Sequence, residues 1–249
     1  DLKRSLIRIE DLAQTIKYVM TRFHILKDEN RDFVKNLREI AVVPTQRSFK
    51  KPSELFDAEN ELLRHFFSRE DIFPAGDFAK PEWLDVLRQI GLKTADNITV
   101  QDIGNSVTII HQCSQSDEKQ NICMDLCLKA TAILKFLNSK PEFFEVNFNE
   151  IKLKNLLKDL DWIPLETEKP GEYPRSLNWF GTENIEFVPP HEVFSIESSS
   201  LIGSVAPTFN DLALGKVSVK LGWKRNPGID LLFQQLDLVA RNYNSKDKA

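Results

Sequence analysis

Apolar residues recur along the first forty positions at steps of three and four, the spacing of one face of an α-helix. The stripe of a long first helix is Leu2, Leu6, Ile9, Ala13, Ile16, Met20 and Phe23. A second, shorter helix from about Arg31 to Glu39 would turn four apolar side chains inward: Phe33, Val34, Leu37 and Ile40. The pattern therefore predicts an N-terminal helical segment over residues 1–40.

The helical pattern stops at residues 42–57, which read VVPTQRSFKKPSELFD. Val42 and Val43 favour extended backbone, and Pro44 disfavours the α conformation at the residue before it. Pro52 has the same effect on Lys51. The sequence therefore predicts an extended, proline-punctuated stretch, which we expect Pro52, Leu55 and Phe56 to anchor against the first helical layer.

Helices return from about Glu59, and three of them are well marked. One begins at Pro81 and ends before Gly91, which is the usual order of proline and glycine at helix ends. Thr99 can cap the next, whose apolar stripe is Val100, Ile103, Val107 and Ile110. The third runs over about 117–138, with one face formed by Ile122, Leu126, Ala130, Ile133 and Leu137. So broad a stripe is typical of a helix inside a bundle.

After Trp162 the pattern changes to short β-prone runs between prolines. Two of these runs are residues 193–196 and residues 216–221. A last helix begins at Asn226-Pro227 and is expected to bury five side chains: Ile229, Leu232, Phe233, Leu236 and Tyr243.

Three landmarks occur twice in the same order. Val42-Val43-Pro44 is matched by Trp162-Ile163-Pro164, the 52–57 stretch by Pro174 to Phe180, and Ile90 to Lys93 by Leu221 to Lys224. A repeat this long indicates a duplicated unit rather than a solenoid. We therefore predict an α+β fold, predominantly α-helical with short β segments in the proline-rich stretches. Two related halves, a first copy over 41–140 and a diverged second copy over 141–249, would pack together as one compact unit.

Composition and charge narrow the classes of function. The 249 residues are 41% hydrophobic and carry a net charge of −4, which disfavours nucleic-acid binding. No apolar run approaches the ~18 residues of a membrane span, so no membrane contact is expected. Three cysteines fit a reducing, cytoplasmic compartment better than a disulfide framework. The absence of an initiator methionine suggests a piece of a longer protein.

The chemistry-bearing residues form no recognisable site. The nine glycines make neither dinucleotide nor phosphate-loop motifs. Cys123 and Cys127 share an apolar helical face, where cysteine behaves as a small hydrophobe rather than a zinc ligand. We therefore expect no enzyme activity and assign no catalytic, cofactor-binding or metal-binding residues. The aromatic cluster of Trp179, Phe180, Phe187 and Phe194 is interpreted as core, with a hydrophobic groove as the alternative.

The amino-acid sequence of residues 43–93 resembles the motif that recurs in the sacsin family. The resemblance is carried by Val43-Pro44-Thr45, by residues 51–57 (KPSELFD), by Phe73-Pro74 and by Leu87 to Lys93. Ala58 departs from the proline that many copies have there. Trp162-Ile163-Pro164 and residues 201–205 resemble the material that follows the motif.

This resemblance implies a region that follows an ATPase-like domain of the heat-shock-chaperone type in a large co-chaperone. It implies no catalytic role for these residues. The expected function is a structural and interaction module that positions neighbouring ATPase-like domains of the same chain, with client contact as a further role. The parent protein is implied to work with heat-shock chaperones and the proteasome. The alternative is an adaptor domain for one defined partner, such as a proteasome or cytoskeletal component.

Overall fold

The computed structural model describes residues 9–68, 70–116, 119–145, 153–166, 185–203, 205–209, 214 and 216–246. The chain divides into two compact units, Asp1–Ile98 and Thr99–Ala249. This division does not decide the extents of the N-terminal segment and the two copies, which remain a prediction.

The described part of the first unit, residues 9–68 and 70–98, contains five helices and one small sheet. The helices are α1 (Ile9–Thr21), α2 (Phe23–Glu29), α3 (Phe33–Arg38), α4 (Glu61–Phe66) and α5 (Pro81–Ile90). The predicted extended stretch contains β1 (Val43–Pro44) and β2 (Phe49–Lys50), which pair antiparallel, followed by a 3-10 turn at Pro52–Glu54. Pro44 and Pro52 thus mark the places where the helical pattern is interrupted.

The core of this unit combines the helix stripes with the extended stretch. Its buried members are Ile16, Met20, Phe23, Leu37, Val42, Val43, Leu55, Phe78, Leu84, Val86, Leu87, Ile90 and Leu92. Leu55 is among them, so the predicted anchoring of the extended stretch against the helices is confirmed for this residue. Ile40, expected to point inward, is instead 53% exposed because α3 ends at Arg38, before its stripe reaches that position.

The second unit contains the longest helices. In chain order, the long and short helices of this unit include α6 (Val100–Ser114), α7 (Lys119–Ser139), α8 (Glu142–Glu145), α9 (Ser199–Ile202), α10 (Val217–Leu221) and α11 (Ile229–Lys246). The strands β3 (Ile163–Glu166) and β4 (Ile185–Val188) pair antiparallel, whereas β5 (Phe194–Ser195) and β6 (Thr208–Phe209) pair parallel. The fold is thus α+β and predominantly helical, as predicted.

The helices α6 and α7 pack against each other. The hydroxyl of Thr99 accepts a hydrogen bond from the backbone N–H of Asp102, so the predicted cap of α6 is confirmed. The stripe of α6 is buried at Ile103, Val107 and Ile110. The facing stripe of α7 is buried at Leu126, Ala130, Ile133 and Leu137. Ile122, the remaining predicted member, has a side chain outside the described set.

The prediction for residues 216–221 is wrong, because this β-prone run forms the helix α10. Its valines favour strands, but the run ends at Gly222, whose φ of +93° closes a helix. Tertiary contacts and this terminal glycine outweigh the weak strand preference of a short segment.

The prediction that α11 buries its apolar stripe is wrong for most of the stripe. Ile229, Phe233 and Leu236 are 66%, 62% and 64% exposed, and Val239 is 52% exposed. Leu232, also predicted to be inward, is partly buried and packs with Leu231 against a cluster of Phe194, Ile202, Val205 and Ala206. The side chain of Tyr243 lies outside the described residues. Periodicity shows that a helix has an apolar face but cannot show whether a partner covers it.

Candidate functional site

Residues 52–57 and Lys93 form a locked turn, which we call the first brace. Phe56 and Lys93 make an isolated parallel bridge in which Lys93 donates its N–H to Leu55 and Asp57 donates its N–H to Lys93, each at 2.9 Å. The Lys93 Nζ atom lies 5.3 Å from the centroid of the Phe56 ring. That cation–π contact contributes about 0.5–1 kcal/mol at a partly exposed site. The brace therefore joins a buried aromatic to a charged side chain at the surface.

The same arrangement occurs at residues 190–195 with Lys224, which we call the second brace. Phe194 and Lys224 form the bridge, with N–H donation from Lys224 to Val193 and from Ser195 to Lys224, again at 2.9 Å. The Lys224 Nζ atom lies 5.4 Å from the Phe194 ring centroid. Each brace begins with a 3-10 turn that starts at a proline, Pro52 or Pro190.

A glycine positions the lysine in both braces. Gly91 and Gly222 follow the ends of α5 and α10 with φ values of +119° and +93°, a region that favours glycine. The residue after each glycine donates its N–H back to the helix, at 2.9 Å for Leu92 to Leu87 and at 3.0 Å for Trp223 to Ser218. This is the Schellman pattern, and it turns the chain so that the next residue reaches the bridge.

The structure changes one part of the expected alignment of the two copies, the part that follows the first strand pair and precedes the glycine of each copy. Pro44 pairs with Phe49, and Pro164 pairs with Phe187, so the two strand pairs correspond. The 52–57 stretch then corresponds to residues 190–195, which follow the second strand pair directly. The predicted partner, Pro174 to Phe180, lies outside the described residues. This correspondence has a signal in the sequence that the predicted alignment does not use. Pro52 to Phe56 and Pro190 to Phe194 share the spacing Pro-x-Glu-x-Phe.

An ion-pair network is present at the first brace. Arg88 on α5 donates to Asp57 at 2.7 Å and also bonds Glu59 and Asp85. The bonds to Asp57 and then to Glu59 hold the pKa of Arg88 above its ordinary value. Ser195 takes the place of Asp57 in the second brace, so a brace forms with or without a carboxylate there.

A polar cavity of about 410 Å³ lies beside the first brace, with Arg47, Arg64 and Asp71 in its lining. The hydroxyls of Thr45 and Ser48 donate to Asp71 at 2.8 and 3.1 Å. Desolvation works to raise the pKa of the Asp71 carboxyl, but the hydroxyl bonds and the charge of Lys50 outweigh it. The net pKa lies below its usual range, so Asp71 is an anion at neutral pH.

A second cavity of about 320 Å³ in the same unit is mainly apolar. Pro44, Phe78 and Trp83 line it together with Lys17 and Asp77. The rings of Phe78 and Trp83 lie 5.0 Å apart, between centroids.

The cysteines and His111 make local contacts within the second unit. Cys127 is buried in α7, and a hydrogen bond with Cys123, together with burial, raises the pKa of its thiol. Cys113 lies on α6, away from that pair in sequence. The backbone N–H of Asp161 donates to His111 Nδ1 at 3.1 Å. Across the described ranges, no group of three or more metal-ligating side chains converges.

The predicted aromatic cluster is described only in part. Phe187 and Phe194 are buried, which favours the core interpretation for both. Trp179 and Phe180 lie outside the described residues. No helix in the described part of the chain is long and apolar enough to cross a membrane.

Comparison with known proteins finds similarity to a much longer protein. No family model matches it, and no solved structure matches it. The chain is 26% identical over 252 residues to sacsin from Homo sapiens, and this alignment covers 99% of the chain. The predicted resemblance to sacsin is thereby confirmed, and the chain is a sacsin-related segment. It spans 5% of the length of that relative, as a segment of a repeat region would.

Proposed function

We propose that this chain is a non-catalytic structural and interaction module of a large, cytosolic, chaperone-like protein of the sacsin type. It would position ATPase-like domains of the same polypeptide and contact clients in protein folding and quality control. The observation that carries the proposal is the repeated brace. The same bridge and the same lysine–phenylalanine contact form in both braces. Because each of these contacts holds an extended stretch in place, the repeated brace suits a rigid support.

The physical basis of the support is burial around each brace. Phe56 packs its ring against Phe67 at 4.4 Å between centroids, and Phe209 packs against Trp223 at 5.1 Å. Such aromatic pairs contribute about 0.5–1.5 kcal/mol beyond the burial of their area. Each extended stretch is thus held by backbone bonds and by packing, which suits a spacer that must keep its shape.

The alternative is an adaptor for one defined partner, and the polar cavity beside the first brace favours it. Its lining carries both signs of charge, Arg47 and Arg64 beside Glu70 and Asp71, and would suit a partner surface with paired charges. The proteasome or a cytoskeletal component would then be the expected binding partner. An Arg47→Ala, Arg64→Ala double variant that lost partner capture but kept its stability would favour this alternative.

Two measurements test the primary proposal. Calorimetric titration with ATP should detect no binding to the 249-residue chain, and the chain should not hydrolyse ATP. In a tandem protein with an ATPase-like neighbour, single-molecule energy transfer across the segment should give one narrow distance distribution. Phe56→Ala should broaden that distribution, whereas Ile25→Ala, at an exposed position, should leave it unchanged. Micromolar ATP binding, or a broad distribution in the unaltered protein, would contradict the spacer role.

A further inference from the structure

The apolar stripe of α11, which is exposed at most of its positions, has the same residue spacing as the buried stripe of α6. On α6 the apolar positions are Val100, Ile103, Val107 and Ile110, separated by three, four and three residues. On α11 the corresponding series is Ile229, Leu232, Leu236 and Val239, with identical separations. Phe233 lies beside this series and widens it on one side.

The two helices also follow equivalent points of the two braces. Helix α6 begins a short link after Lys93, and α11 begins a similar link after Lys224. Gly91 and Gly222 precede those lysines at the same distance in sequence. On this correspondence α11 is the second-copy equivalent of α6.

The environments of the two stripes differ in one respect. Ile103, Val107 and Ile110 are fully buried where α7 packs along α6. Among the described residues, α11 makes its main helix contact with α9, where Leu231 and one member of the stripe, Leu232, pack against the cluster that contains Ile202. Ile229, Phe233 and Leu236 are left nearly two-thirds exposed. A contiguous apolar row of this kind on one helix is typical of an interaction surface.

We propose that this exposed row of α11 is the docking site for an amphipathic helix of the same polypeptide, held as α7 is held on α6. The matched relative is far longer than this chain, which spans 5% of it, so a sacsin-type polypeptide has ample length to supply such a helix. The inference rests on the correspondence of the two helices and not on the proposed spacer role.

The structure also specifies the chemistry of the docking helix. Its apolar residues should be small or aliphatic and spaced by three and four, like Leu126, Ala130, Ile133 and Leu137 on α7. Asp230 and Asp237 border the row on α11, and Asp237 is paired with Arg241 at 2.5 Å. A lysine beside the apolar residues of the docking helix would complement Asp230, with a small gain because the site is solvated.

Grafting provides the direct test. Residues 115–139, which include α7, are appended to the C-terminal end of the complete chain, and amide hydrogen exchange is measured across α11. We expect exchange over residues 229–241 to slow by about tenfold or more. The matched control carries Leu126→Ser and Ile133→Ser in the appended copy only, and should give no slowing. Unchanged exchange with the intact graft would overturn the proposal.

A second measurement covers a graft that fails to fold. A labelled peptide of residues 119–139 is titrated into the unmodified chain and followed by fluorescence anisotropy. Phe233→Ala with Leu236→Ala should weaken binding at least about tenfold, because alanine keeps helix propensity and removes only the apolar row. Gln234→Ala, at an exposed polar position of the same helix, should bind like the unaltered chain. Equal binding by all three proteins would contradict the proposal.

Sedimentation velocity distinguishes the other occupant, a second copy of the chain. The unmodified chain is expected to be monomeric at micromolar concentration. A dimer that becomes monomeric with Phe233→Ala and Leu236→Ala would show that α11 pairs with itself, and would overturn the assignment to a helix of the same polypeptide.

Discussion

Phe56 and Phe194 occupy equivalent positions at the centre of the two braces, and both are 3% exposed. Phe56→Ala should lower the free energy of unfolding by about 3–5 kcal/mol, because it removes a buried ring and leaves a cavity. Phe194→Ala should cost a similar amount in the second unit. Chemical denaturation followed by circular dichroism measures both changes.

Ile25→Ala is the matched control, since Ile25 is 58% exposed on α2. Its cost should stay within about 0.5 kcal/mol, as for most surface substitutions. A loss below about 1 kcal/mol for Phe56→Ala would mean that the ring contributes little to packing, and the brace would then lose its structural role.

Asp71 offers a test of electrostatics at the level of one carboxyl group. In the folded protein its pKa lies below the ordinary value of 3.8. The folded chain therefore binds fewer protons at this carboxyl group than the unfolded chain does. The stabilising contribution is therefore complete above the unfolded pKa and is lost as pH falls through the lower folded value. A carbon-13 titration of the Asp71 carboxyl should show a midpoint below 3.8.

Thr45→Val removes one of the two hydroxyl donors to Asp71 while keeping the side-chain shape. The Asp71 midpoint should then move upward, because the carboxylate loses a hydrogen bond that favours its charged form. Gln46→Ala, at a neighbouring exposed position, should leave the midpoint in place. A midpoint insensitive to Thr45→Val would assign the lowered pKa to the Ser48 hydroxyl and Lys50 instead.

At the scale of elements, the two glycine-terminated helices should respond differently to the same substitution. An added Cβ at Gly91 would lie 2.9 Å from the Arg38 Nε atom, which donates to the Ile90 carbonyl at 2.8 Å. At Gly222 the nearest atom would be Lys154 Cε at an ordinary 3.6 Å. Gly222→Ala should therefore cost about 1 kcal/mol for the left-handed backbone alone, and Gly91→Ala clearly more.

Thermal unfolding of the two variants measures this difference. Gly228→Ala serves as the control, because its added Cβ meets nothing within 4 Å and its φ is not in the left-handed region. Its melting temperature should match that of the unaltered chain. Equal losses at Gly91 and Gly222 would mean that Arg38 moves aside freely and that its bond to Ile90 is weak.

Most helices were predictable because local rules and burial agree in them. Pro81 and Gly91 bound α5 as expected, and Thr99 caps α6, since these residues act through the backbone close to them. The run from Val217 to Leu221 was not predictable, because its strand preference competes with a helix end set by Gly222. For a run that short, packing decides the outcome.

The correspondence of the braces was only partly predictable. Gly91 and Gly222 could be matched in sequence, whereas the partner of Pro52 to Asp57 was sought too early in the chain. Ser195 replaces Asp57 and Val193 replaces Leu55, so the two stretches have only a proline, a glutamate and a phenylalanine in common. The hydrogen bonds of the bridge use backbone atoms, which place no demand on side-chain identity.

For the whole molecule, burial rather than surface charge should set stability. Pairs such as Lys51–Glu39 and Lys80–Asp77 are exposed on both sides and contribute little each. Raising sodium chloride from about 0.05 M to about 0.5 M should therefore change the free energy of unfolding by less than about 1 kcal/mol. Urea denaturation at the two salt concentrations measures it.

The Arg88 ion-pair network is the strongest test of the expectation that salt changes the free energy of unfolding only slightly. Asp57 is nearly buried beneath Arg88, and salt screens such a pair less than a surface pair. A salt-dependent loss above about 2 kcal/mol that disappears in an Arg88→Met variant would assign a dominant role to this network and contradict the burial argument.

The bridges also bear on how the sequence can change over evolution. Phe56 and Lys93 are 37 positions apart, whereas Phe194 and Lys224 are 30 positions apart, yet both pairs meet in the same geometry. Closing the longer loop costs only about 0.2 kcal/mol more, because loop entropy grows with the logarithm of length. Length changes in the loops between the helices that separate the two anchor points thus add little closure entropy, while a shift of one residue beside either anchor misaligns the bridge. Length variation among related repeats should accordingly accumulate between the phenylalanine and the lysine.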